Sequence, residues 1–154
     1  MTVLSPGVRS ILVALDESDR APLVFATAAM RARSFGAQLF PLRVLERPPA
    51  MPPAAHTHPD GLEAQLLREA RANLQALLRT EPSIQYGAPL VVFGDPWREI
   101  VATATSIDVD LIVIGSRRHH DRLDRVLGTV AAKVVNHADR NVLVVHERGV
   151  ARNR

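Results

Sequence analysis

The sequence predicts an α/β fold, an open five-stranded parallel sheet with helices on both faces. Three observations predict it. Five short apolar runs are spaced along the chain: SILVAL at 10–15, QLFPLRVL at 38–45, PLVVF at 89–93, DLIVI at 110–114 and NVLVVH at 141–146. Stretches with helical spacing of apolar residues lie between them. The runs are mostly apolar rather than strictly alternating, the pattern of strands covered on both faces. Strand–helix alternation of this kind builds a parallel sheet with right-handed crossovers.

The first run, 10–15, is too short for a helix and ends at Asp16. Ser18 or Asp19 is the candidate cap of the helix that follows, and Pro22 suits its first turn. Apolar residues recur at helical spacing over 23–35, and Gly36 stops that helix. Residues 38–45 form the second strand, although Pro41 brings no backbone donor, which is awkward inside a sheet. ERPPAMPPAAHTHPDG, with five prolines in sixteen residues, reads as an exposed, mobile loop over about 46–61. The helix over 62–78 is amphipathic. Leu62, Leu66, Leu67, Ala70, Leu74, Leu77 and Leu78 make its apolar stripe, while Glu63, Arg68, Glu69 and Arg71 face water. After the strand at 89–93, Asp95 is the expected N-cap and Pro96 the first residue of a helix to about Ser106. A strand at 110–114, a helix over 125–137 and a strand at 141–146 complete the order. The chain reads as a single domain, 1–154, with a core of about 9–147 and a basic tail at 147–154.

Composition narrows the function. A chain of 154 residues, 47% apolar, is about one domain and can bury a real core. It has no apolar run long enough to span a bilayer, and its first residues lack the basic start and apolar stretch of a signal peptide. The absence of cysteine excludes disulfides, thiol catalysis and cysteine-bound zinc. The cytoplasm is the expected compartment, with no membrane partner. The net charge of +3 rests on arginine, since Lys133 is the only lysine. The six aromatics are scattered and no basic stripe is interleaved with them, which argues against nucleic acid. His119 and His120 are adjacent, so their side chains diverge, with only Asp121 and Asp124 nearby. His56 and His58 lie in the proline-rich stretch. No resident metal is expected. No nucleophile–base–acid set is visible, and Lys133 lies inside a helix, too far past Gly128 for a phosphate-loop lysine. The chain is expected not to be an enzyme.

In an open parallel sheet, ligands bind outside the carboxyl ends of the strands where the strand order reverses. Two segments belong there: LDESD after the first strand and GSRRHH after the fourth. A reversal between those strands brings them together. Asp16 has two readings, a turn or cap residue and a ligand contact; with Ser18 and Asp19 available as caps, it is left to face the cleft. In GSRRHHDRLDRVLGTV, Gly115 and Gly128 flank a cationic segment. Glycine beside phosphate permits close backbone approach or positive φ. Residues 128–130 open or lie within the first turn of a helix, whose amides attract anions. The alternative is a solvated cationic loop held by Asp121 or Asp124.

The whole chain resembles the universal stress protein family. ILVALDESD, VFGDPWREIVATA, DLIVIGS and GTVAAKVVNHADRNVLVVH carry the likeness, in that order, over about residues 9–147. The resemblance implies a Rossmann-like sheet of order 3-2-1-4-5. It also implies a homodimer through the fifth strand, Asn141–Val145, whose edge has few charges to protect it. ATP-binding members carry glycine, two residues, glycine, nine residues, then glycine with serine or threonine. Here Gly115 and Gly128-Thr129 match, but the middle glycine falls on Arg118, and a one-residue shift puts His119 there instead. By resemblance, Asp16 meets adenine or ribose, with Ala14 and Leu15 preceding it along the pocket wall. Val44 lies against adenine, Ile114 precedes the first glycine, and Thr129 and Val130 offer amides and a hydroxyl to phosphate. Arg117 and Arg118 either pair with phosphate or, for Arg118, fill its space. The expected function is a stress-response regulator or sensor binding ATP, ADP or AMP with little or no hydrolysis, any magnesium arriving with the nucleotide. The alternative is a dimeric interaction module that has lost the ligand.

Overall fold

The computed structural model describes residues 7–47, 61–116 and 127–147. The loop expected over about 46–61 and the basic tail therefore lie largely outside the described residues, as do Arg117 and Arg118. Nine elements alternate: β1 (Ser10–Ala14), α1 (Ala21–Phe35), β2 (Gln38–Leu45), α2 (Leu62–Leu78), β3 (Leu90–Phe93), α3 (Pro96–Ser106), β4 (Leu111–Gly115), α4 (Thr129–His137) and β5 (Asn141–Val145). The strands form one parallel sheet of order β3-β2-β1-β4-β5, as expected.

Strand alternation divides the core between two faces. On one, Ile11, Val13, Leu39, Val91 and Val113 meet α1 and α2 through Val24, Phe25, Ala28, Ala32, Ala70 and Leu74. On the other, Leu12, Leu42, Ile112 and Ile114 meet α3 and α4 through Ile100, Ala104, Ala131 and Val134. The alanines of α1 let that helix lie close on the sheet, and Gly36 closes it in the left-handed region at φ 63.

Several local expectations change. The N-cap of α1 is Arg20, not Ser18 or Asp19, and no side chain bonds there as a cap. Instead the Ser18 carbonyl accepts Ala21 N–H at 3.0 Å. Asp95 is the N-cap of α3 as expected, but its carboxylate lies 3.4 Å from Arg98 rather than on a cap amide. Glu63 does not face water: its side chain is 13% exposed and pairs with Arg47, while Leu62 at the head of the stripe is 50% exposed. The last helix begins at Thr129 rather than at 125, because Gly128 takes an extended ψ of 155 as its N-cap.

Pro41 sits in β2 between two neighbours, fully buried and paired with Val13. The backbone of Leu39 bonds residues 85 and 87, so odd-numbered residues of β2 present their polar groups on the β3 side. Pro41 therefore faces the gap between the Leu39–Tyr86 bridge and the start of β3 at Leu90, where no ladder donor is required.

Candidate functional site at the carboxyl ends of β1 and β4

The chain runs from β1 out to β3 on one side, then crosses back to β4 and β5 on the other. The order thus reverses between β1 and β4. These strands pair with Ile11, Leu12 and Val13 opposite Leu111, Ile112 and Val113. Continuing that register runs Leu15 and Asp16 beside Gly115 and Ser116. The two segments singled out in the sequence meet at the switch point, where a parallel sheet leaves a crevice for ligand.

The expected site residues divide by face. Ala14, Val44 and Ile114 all pack on the α3/α4 side at this end of the sheet, so one apolar wall does form. Leu15 turns the other way, into the α1 core at 6% exposure, because successive strand residues point to opposite faces. Its amide donates to Leu42 at 2.9 Å. Asp16 is exposed at the cleft but is not left over from capping as the sequence reading had it. Its Oδ1 accepts the Ser18 amide at 3.0 Å and the Ser18 hydroxyl at 2.5 Å, a turn-forming pair.

Gly128, Thr129 and Val130 are the N-cap and first two residues of α4, and among the described residues no side chain caps that end. Its first-turn amides have no partner within the helix and carry the positive end of the helix dipole. Neither flanking glycine uses positive φ: Gly115 closes β4, and Gly128 has φ −57. At Gly115 the need is space, since a Cβ there would stand 2.9 Å from Val24 Cγ2 of α1.

Two arginines missed in the sequence reading border this cleft. Arg43 of β2 is 7% exposed and points to the α1/α2 side, where it pairs with Glu17. Burial draws its pKa down, and the Asp16 carboxylate pushes it back up. It remains charged. Its Nε has no hydrogen-bond partner among the described residues. The signal was a lone charge inside the apolar run QLFPLRVL. Arg20 crosses the switch point: Nη1 donates to the Ser116 carbonyl at 2.7 Å, and Nε lies 3.3 Å from Glu147 Oε2. Nothing local in DESDRAP marks that reach.

At the opposite end of the sheet an open depression of about 720 Å³ is lined by Asp108, Asp110, Asp139, Arg140 and neighbouring backbone. Its charges are already engaged. Arg140 bonds Asp108, Asp139 and the Val109 carbonyl. Asp110 accepts the Arg9 and Ser10 amides and the Ser10 hydroxyl, and the Arg9 amide bond is the main cause that lowers its pKa. This end locks the sheet and offers little to a ligand. Among the described residues no group of three His, Asp or Glu side chains is arranged to hold a metal, and no helix is long and apolar enough to cross a membrane.

The strand order, with its reversal between β1 and β4, defines a doubly wound α/β domain. The family model of the Universal stress protein family matches residues 7–146, and the chain belongs to that family. Universal stress protein A homolog 1 of Coxiella burnetii is 31% identical over 139 residues, covering 89% of this chain and 95% of the relative. The structure of universal stress protein UspA from Lactobacillus plantarum superposes with a TM-score of 0.68 at 28% identity, over 90% of this chain and 97% of that one. The universal stress protein from Archaeoglobus fulgidus, solved in complex with dAMP, does so with a TM-score of 0.62 at 26% identity, over 90% and 98%.

Proposed function

We propose that this universal stress protein is a cytoplasmic, homodimeric regulator that binds an adenine nucleotide in the β1/β4 crevice. What supports the reading is topology: Asp16 follows β1, Ala14, Val44 and Ile114 share one face near the carboxyl ends of their strands, and α4 starts at Thr129 with no side-chain cap among the described residues. The wall suits a base, Asp16 a ribose hydroxyl, and the helix start a phosphate. The dAMP complex of the Archaeoglobus fulgidus relative supports it. Arg117 and Arg118, outside the described residues, are assigned to phosphate on sequence alone. ATP, ADP and AMP are all candidate ligands, with magnesium accompanying the longer ones.

Binding at micromolar affinity, tested with millimolar nucleotide, stabilises by about 4 kcal/mol. For a domain of this size that is a rise of roughly 8–16 °C in Tm. No shift with AMP or ATP, together with no nucleotide released from the purified protein, would sink the reading. Replacing Arg118 by glycine strengthens binding if the arginine blocks phosphate and weakens it if the arginine clamps it. No positioned base for water attack is assigned, so hydrolysis is slow or absent. Turnover well above about once per minute, far nearer the ordinary enzymatic range, contradicts this.

Dimerisation is assigned to β5. Among the described residues it is an edge strand paired with β4 alone, and Val142, Leu143, Val144 and Val145 all stay part-exposed. Sedimentation at rising concentration is expected to give a dimer; a monomer throughout refutes the assignment. The second reading, an interaction module without ligand, is favoured by one observation: Val24 accounts for Gly115 without any phosphate.

A further inference from the structure

We propose that Arg20 reads the phosphate charge of the bound nucleotide, and that Glu147 is the internal competitor the phosphate displaces. The proposal rests on the nucleotide reading above and adds a residue pair and a regulatory link to it.

Arg20 is the N-cap residue of α1, at the carboxyl end of the sheet. Its side chain is 21% exposed and touches three segments that meet only there. Its backbone belongs to the loop after β1. Its Nη1 holds the carbonyl of Ser116, the first residue past β4. Its Nε pairs with Glu147, two residues past β5. Ser116 is itself 3% exposed and fixed by its amide to the Val145 carbonyl at 3.0 Å. The guanidinium is thus anchored at the end of β4, on the residue that follows Gly115.

The two contacts differ in kind. The Ser116 carbonyl is buried and neutral and positions the guanidinium. Glu147 is 55% exposed, so its pair with Arg20 is weak and screened by salt. A guanidinium has five donors in a planar fork that matches phosphate bidentately, and such charge-assisted bonds are stronger than an exposed ion pair. A phosphate that reaches Ser116 therefore meets a cation already held there, whose pair with Glu147 is exposed. Taking it breaks the Arg20–Glu147 pair, two residues past β5, the edge strand assigned to the dimer. By linkage, whatever holds Glu147 elsewhere tightens nucleotide binding by the same factor.

The demand on Arg20 grows with phosphate charge, so the test compares ATP with AMP by titration calorimetry. Four proteins are used: wild type, Glu147→Gln, Arg20→Gln and the double variant. Glu147→Gln removes the competitor and is expected to tighten ATP about three- to fivefold, the worth of an exposed pair, and AMP less. Arg20→Gln is expected to weaken ATP about tenfold or more, narrow the ATP-to-AMP preference, and abolish the gain from Glu147→Gln. If Glu147→Gln leaves ATP affinity unchanged or lowers it, the inference is overturned. The same holds if Arg20→Gln lowers Tm yet keeps the ATP-to-AMP ratio, which marks a merely structural clip. Glu147→Gln alters an exposed side chain and decides the matter even if Arg20→Gln does not fold. Wild type that binds neither nucleotide removes the parent reading and this one with it. Wild type that binds, with Glu147→Gln inert, removes this one alone.

Discussion

Gly115→Ala separates packing from ligand contact at the first glycine of the cleft. The new Cβ stands 2.9 Å from Val24 Cγ2, where an unstrained carbon–carbon contact lies at about 3.5–4.0 Å. Val24 is 5% exposed within α1, and its branched side chain has one strongly preferred rotamer in a helix, so it has little room to swing aside. The helix or the end of β4 must shift instead. Overpacking of this kind costs about 1–3 kcal/mol, and a central cost of about 2 kcal/mol lowers Tm by roughly 4–8 °C in a domain of this size. The backbone adds no penalty of its own, since positive φ is not used at Gly115. Chemical unfolding of four proteins checks the cause: wild type, Gly115→Ala, Val24→Ala and the double variant. With the offending methyl gone, adding the alanine costs far less, a coupling of about 1–2 kcal/mol. A neutral Gly115→Ala, or the same cost in both backgrounds, refutes the packing account.

Arg43→Met replaces a buried guanidinium, whose Nε has no partner among the described residues, with an apolar chain of similar reach; stability is expected to hold or rise by about 1 kcal/mol in urea unfolding. A loss above about 2 kcal/mol means that the pair with Glu17 is a net stabiliser. The Asp110 pKa is lowered in the fold by its bonds to the Arg9 and Ser10 amides and the Ser10 hydroxyl, so its contribution is present above the ordinary carboxylate range and is lost as pH falls through the lowered value. Asp110→Asn is expected to cost about 1 kcal/mol at neutral pH and to flatten the acid limb of stability against pH; an unchanged acid limb contradicts this. Gly36→Ala places a Cβ in open space but at φ 63, so its cost is purely conformational, about 1 kcal/mol by thermal unfolding.

Much of the fold was legible because its determinants are local. Gly36, Pro96 and the apolar runs act through sterics and burial within a few residues, and eight of the nine elements start within two residues of where the sequence reading put them. The exception is α4, expected from 125 but starting at Thr129, where Gly128 with its extended ψ is the N-cap. The wall of Ala14, Val44 and Ile114 came from family resemblance and does share one face. Leu15, placed beside Ala14 along that wall by the same resemblance, packs on the α1 face instead, since one residue flips the face of a strand. Glu63 was read as solvent-facing from its helical position, but Arg47, beyond the end of β2, covers it.

By itself the sequence determined the element order, the parallel α/β class and the family, since apolar periodicity and turn chemistry are written over short spans. The tertiary structure alone decided that Asp16 is tied into its own turn, that Gly115 is required by Val24, and that Arg43 is buried. It alone decided that Arg20 bridges Ser116 and Glu147. Of these, the long-range contacts join residues up to more than a hundred positions apart, brought together by strand order and register. No local preference encodes such a meeting; it exists only once β1 and β4 lie side by side.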